Sequence, residues 1–131
     1  MKNILRSKIL LITIIGLLLI VLQPQKALAC DIDFEITNNK KDAYSVGDVL
    51  VIKVSVSLTH KSCPIAMEKT QFTMKGMKIL GTTDWEQESS MVWTRKIKVQ
   101  IIKDKGKHIV LNANRICDKD GGFGCLKLNY K

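Results

Sequence analysis

Two histidines stand among the 131 residues, and the chain contains no CxxC, no His-x-His and no run of methionines. A dedicated site for a soft ion such as Cu(I) is built from such clusters, so neither a metal nor a cofactor is expected. His60 and His108 read as solvent-facing residues at strand ends. Asp118-x-Asp120-Gly121 begins like a calcium loop, but Asn129 stands where the bidentate glutamate is needed, and the aspartates read as turn formers. No Ser/His/Asp set lies in a strand–turn–helix context, and Gly121-Gly122 leads into a strand rather than a helix. Asp84, Glu86 and Glu88 alternate on an exposed-looking loop and read as solvating groups, so no catalytic residue is expected. Aromatic residues are only 5% of the chain, and no basic patch is interleaved with them, which excludes a nucleic-acid surface. Helical periodicity is also missing. Between Ala66 and Lys78 only Met67, Met74 and Met77 recur, and they form no stripe. Nothing repeats, and no segment is of low complexity.

The front of the chain is the most strongly patterned part. Lys2, Arg6 and Lys8 precede an apolar run from Ile9 to Leu22, then a polar stretch and Ala27-Leu28-Ala29. This is the layout of an export signal over residues 1–29 with cleavage before Cys30. The run is short for a membrane span of ~20 residues. Cys30 as a new N-terminus also raises lipidation, although Ala27 occupies the position where a lipobox has leucine. The membrane is expected as a partner only through the signal segment or through such lipidation. Without residues 1–29 the chain keeps 17 of 21 Lys and Arg and all 12 Asp and Glu, a net charge of about +5 rather than +9. Those charges are spread along strands among acids, and they read as a solvated face. The remaining 102 residues fit one domain, residues 30–131, in the periplasm or outside the cell.

Period-2 alternation predicts strands throughout that domain. Ile32, Phe34 and Ile36 oppose Asp31, Asp33 and Glu35. Leu50, Ile52, Val54, Val56 and Leu58 oppose Lys53, Ser55 and Ser57. Shorter stretches follow at Thr70–Lys75 and Met77–Leu80, then a turn plugged by Trp85. A long strand over Met91–Ile102 is interrupted on its apolar face by Arg95, which is expected near a sheet end. The last hairpin has Ile109, Leu111 and Ala113 on one arm, Leu126, Leu128 and Tyr130 on the other, and a turn at Asp118–Gly122. The pattern is all-β, an immunoglobulin-like two-sheet sandwich of about seven strands, with a small closed barrel as the alternative. Tyr44-x-x-Gly47-Asp48 before a strand resembles the start of the second strand in many bacterial immunoglobulin-like domains.

In such a sandwich Cys30, Cys63, Cys117 and Cys125 fall at one pole. Four cysteines in an exported domain predict disulfides, and three pairings are possible. Cys63–Cys117 with Cys30–Cys125 is preferred, because each joins segments expected to be neighbours, and Cys117–Cys125 is the rival. The loops of that pole, with His60, Lys61, Asp118, Lys119, Asp120 and Phe123, are the expected binding surface for an envelope protein. The hairpin from Cys117 to Cys125 also resembles that of the periplasmic N-terminal domain of transmembrane thiol-disulfide reductant transporters. The resemblance implies an alternative function, a thiol-disulfide carrier using Cys117 and Cys125. Thiolate character there would be favoured by Lys119.

Overall fold

A computed structural model describes residues 30–59, 63, 65–117 and 121–131. The described chain is all-β. Eight strands run in the order β1 Cys30–Asn38, β2 Val49–Leu58, β3 Gln71–Lys75, β4 Met77–Thr82, β5 Glu86–Ser89, β6 Val92–Ile101, β7 His108–Arg115 and β8 Gly122–Asn129. One sheet has the order β1-β2-β6-β4, with β5 also paired to β6, and the other has β3-β7-β8. All the strand pairs are antiparallel. The two inner faces close on each other as a β-sandwich. With β5 set aside, this is the strand order of the seven-strand immunoglobulin-type sandwich.

The alternation read from the sequence decides which face is buried. Leu50, Ile52, Val54 and Val56 of β2 meet Ile97, Val99 and Ile101 of β6, and they face Ile109, Leu111 and Ala113 of β7. Asp31, Asp33 and Glu35 stay exposed on β1 while Ile32 is buried. The Tyr44–Asp48 segment supports the edge of this core. Tyr44 is fully buried and bridges Tyr130. The Asp48 carboxylate accepts from the Ser45 backbone N–H at 3.0 Å and pairs with Lys41 at 3.1 Å, and these hold it below the usual carboxylate range. Gly47, at φ +96°, makes the turn that an L side chain would strain.

Three expectations are corrected. Glu86–Ser89 is a strand, not a turn. It is exposed at every position, so it has no hydrophobic period and exists through its pairing with β6. Arg95 lies within β6, opposite Val54, rather than at a sheet end. It faces the step from β4 to β5, where it donates to the Thr83 carbonyl at 2.6 Å and stacks over the Trp85 ring at 5.2 Å. Finally, Gly121 and Gly122 were expected to serve the turn, but β8 begins at Gly122. Their bareness is needed for close approach instead. A Cβ on Gly121 would stand 2.6 Å from the Arg115 carbonyl oxygen, and one on Gly122 would stand 2.6 Å from that of Cys30.

Candidate functional site: a buried arginine among thiols

Arg115 is the last residue of β7 and continues the inner-face series of Ile109, Leu111 and Ala113, so its side chain enters the core at the end of the sandwich. It is 1% exposed. The guanidinium reaches the segment that joins β2 to β3. One terminal nitrogen donates to the Thr70 hydroxyl at 2.8 Å and to the carbonyls of Ala66 and Met67 at 3.3 and 3.5 Å. The other donates to the Ile65 carbonyl at 2.9 Å and lies 3.8 Å from Cys63 Sγ. Its Nε has no hydrogen-bond partner among the described residues. Neither of the ion pairs among the described residues, Lys41–Asp48 and Lys53–Glu88, involves Arg115. A buried charge needs compensation, and among the described residues carbonyl dipoles, the Thr70 hydroxyl and the Cys63 sulfur supply it.

Three cysteines gather at this pole. Cys63 Sγ and Cys117 Sγ are 3.4 Å apart. Cys30 begins β1, is fully buried and interacts with Arg115, Cys63 and Cys117. The environments of the thiols differ. Burial pushes the Cys63 thiol up, but the backbone hydrogen bond at Ile65, the Cys117 thiol and Arg115 outweigh it, and Cys63 falls below the ordinary thiol value. For Cys30, burial dominates over Arg115, and the thiol is pushed up. The arrangement favours the thiolate form of Cys63 and sets Cys117 beside it, the geometry from which a disulfide forms. Alkylation with iodoacetamide followed by mass mapping is therefore expected to modify Cys63 before Cys30 at neutral pH. The pH midpoint for Cys63 should lie below that of an ordinary cysteine, and the midpoint for Cys30 above it. Equal rates at the two positions would show that Arg115 does not act on Cys63.

The expected pairings fare differently. No two of the four sulfurs are at disulfide distance in this structure, where the bond would need about 2.05 Å. Cys63 and Cys117 do come together. Cys30 and Cys125 do not, although β1 does approach β8 in parallel. Gly122 packs on Cys30 and Gly124 on Ile32, so the strand's alternation turns Cys125 to the outer face, where it is exposed opposite Asn112. The same turn separates Cys125 from Cys117, which lies five residues beyond Asn112 at the inner pole. Phe123 is exposed on that outer face too. His60, Lys61, Asp118, Lys119 and Asp120 lie outside the described residues. Among the described residues no group of His, Cys, Asp and Glu is arranged to hold a metal ion. The residue that organises the site, Arg115, was not among the expected site residues. Its signal in the sequence is an arginine at a core-facing position of an otherwise apolar alternation.

No protein-family model, curated protein or solved structure matches the chain.

Proposed function

We propose that this chain is an exported β-sandwich module of the bacterial cell envelope that binds or supports a partner protein through its thiol pole, with Cys63 and Cys117 closed as a disulfide after export. The 3.4 Å approach of the two sulfurs carries this reading. Residues 1–29, with their basic start, apolar run and small-residue end, support export. The burial of the Cys30 sulfur favours simple cleavage over lipidation, since a lipid-bearing sulfur must reach the surface. Closing the bond requires the sulfurs to move about 1.4 Å nearer. The bond would join positions 54 residues apart, which is worth about 4 kcal/mol in the chain-entropy limit.

Arg115 favours a second reading, thiol-disulfide exchange, at Cys63 and Cys117 rather than at Cys117 and Cys125. Cys63 would be the exchanging thiolate, with a protein disulfide of the same compartment as the oxidant, which leaves as the dithiol when Cys63–Cys117 closes, and a protein dithiol as the reductant in the reverse direction. Disulfide mapping of the protein lacking residues 1–29, across a series of thiol redox buffers, separates the two. A Cys63–Cys117 bond that stays closed to about −300 mV supports the stapled module. One that opens between about −120 and −270 mV supports exchange. Four thiols that remain reduced under oxidising conditions would remove both.

A further inference from the structure

The outer face of the β3-β7-β8 sheet carries chemistry that the thiol pole does not use. Register aligns Gln71, Asn114 and Phe123 in one row and Thr73, Asn112 and Cys125 in the next. Gln71, Thr73, Asn112, Asn114 and Phe123 line a concavity of about 290 Å³, and none of them is charged. Asn112 Nδ2 donates weakly to Thr73 Oγ1 at 3.4 Å. The amides of Gln71 and Asn114 stand exposed at the surface.

The fold does not ask for these residues. Asparagine is depleted in strands, because its amide competes for the backbone. Two of them at alternate positions on the middle strand of a sheet break local consistency, and such breaks gather at functional sites. Phe123, 54% exposed, is the partner of Asn114 across the β7–β8 pair and gives the neutral face one aromatic wall. Stability would be served better by threonine or valine at the first two positions and by a polar residue at the third.

Each amide presents a donor and an acceptor in one plane, which suits adjacent hydroxyls. An aromatic face suits the C–H side of a sugar ring, which is apolar where its rim is polar. The lack of charge suits a ligand without any. We propose that this face binds a neutral oligosaccharide, with Phe123 as the stacking platform and Asn112, Asn114 and Gln71 as the hydroxyl-reading groups. Three strands at ~4.8 Å spacing and rows ~7 Å apart give a footprint for about two sugar rings. Lys75 and Lys127 lie opposite Val110 in the next row, outside the concavity.

The test is calorimetric titration of the protein with chito-, cello- and malto-oligosaccharides. At least one series is expected to bind with a Kd on the order of 0.1–1 mM, weak as befits a shallow site. Phe123→Ala is expected to weaken it tenfold or more. Asn112→Thr with Asn114→Thr is expected to abolish binding while the melting temperature stays level or rises, which separates a ligand-reading role from a structural one. Lys75→Ser with Lys127→Ser should leave binding within twofold. Absence of binding in all three series, insensitivity to Phe123→Ala, or a dependence on the two lysines that salt abolishes would each overturn the proposal.

Discussion

Arg115→Met, under reducing conditions, is expected to destabilise the domain by about 3–5 kcal/mol, the scale for removing one side of a buried charged network. Methionine can fill much of the volume, so the loss is one of partners rather than of packing. The carbonyls of Ile65, Ala66 and Met67 and the Thr70 hydroxyl would lose their donors. A buried acceptor left unpaired costs ~1–3 kcal/mol, and the terms overlap because one local rearrangement can relieve several. For a domain near 100 residues the melting temperature should fall by roughly 12–24 °C. Urea unfolding followed by the fluorescence of Trp85 and Trp93 measures it. Arg115→Lys keeps the charge but not the fork that serves two sets of acceptors, so it should lie between the parent and Met. The Met variant should also slow alkylation of Cys63, since the nearby cation that favours the thiolate is gone. A Met variant within about 1 kcal/mol of the parent would mean that the 65–70 segment finds water or other partners, and that Arg115 does not organise the pole.

The parts of this structure legible in the sequence are those where burial and strand period coincide. β2 is the clearest case, because β-branched and leucine side chains occupy every inner position, while Lys53, Ser55 and Ser57 mark the outer face along most of its length. The constellation of Cys63 with Cys117 was also legible, through topology rather than local pattern. The loop after β2 and the end of β7 meet at one end of a sandwich, and each carries a cysteine. What failed was register. The segments that carry Cys30 and Cys125 are neighbours as expected, but a displacement of three residues places Gly122, not Cys125, against Cys30. Three is odd, so Cys125 changes face. Composition alone holds no information about that offset.

The glycines and β5 departed from expectation for other reasons. Gly121-Gly122 after two aspartates has the composition of a flexible turn, while the structure uses the missing side chains for contact between strands. Those two uses leave the same letters in a sequence. The β5 strand was invisible because Glu86, Gln87 and Glu88 have no buried face and therefore no period. Arg115 was visible in principle. The alternation Ile109, Leu111, Ala113 runs on to position 115, and an arginine in an apolar series is the kind of local inconsistency that marks a site.

The glycines of β8 give the second large effect, and its sign is informative. On an ordinary strand, Gly→Ala stabilises by roughly 0.5–1 kcal/mol by restricting the unfolded chain. Gly122→Ala and Gly124→Ala are expected to do the reverse, each costing about 2–3 kcal/mol. At position 122 the new Cβ would stand 2.6 Å from the Cys30 carbonyl oxygen and 2.7 Å from its Cβ. At position 124 it would stand 2.5 Å from the Ile32 carbonyl oxygen and 2.9 Å from Phe34 Cε2. Most of these are backbone or Cβ atoms and cannot swing aside, so β1 itself must move. β1 is free to do so only at a cost, since it is an edge strand paired to β2 alone while its inner face carries Ile32 and Cys30 into the core. Both substitutions act through that one displacement. The double variant should therefore cost less than the sum of the singles, a coupling that a double-mutant cycle in urea resolves. Movement of β1 would also uncover the Cys30 sulfur, and its alkylation should quicken in all three variants. Strict additivity with Cys30 still protected would mean that each alanine is absorbed locally within β8 and that the close approach of the two sheets here is not what holds β1.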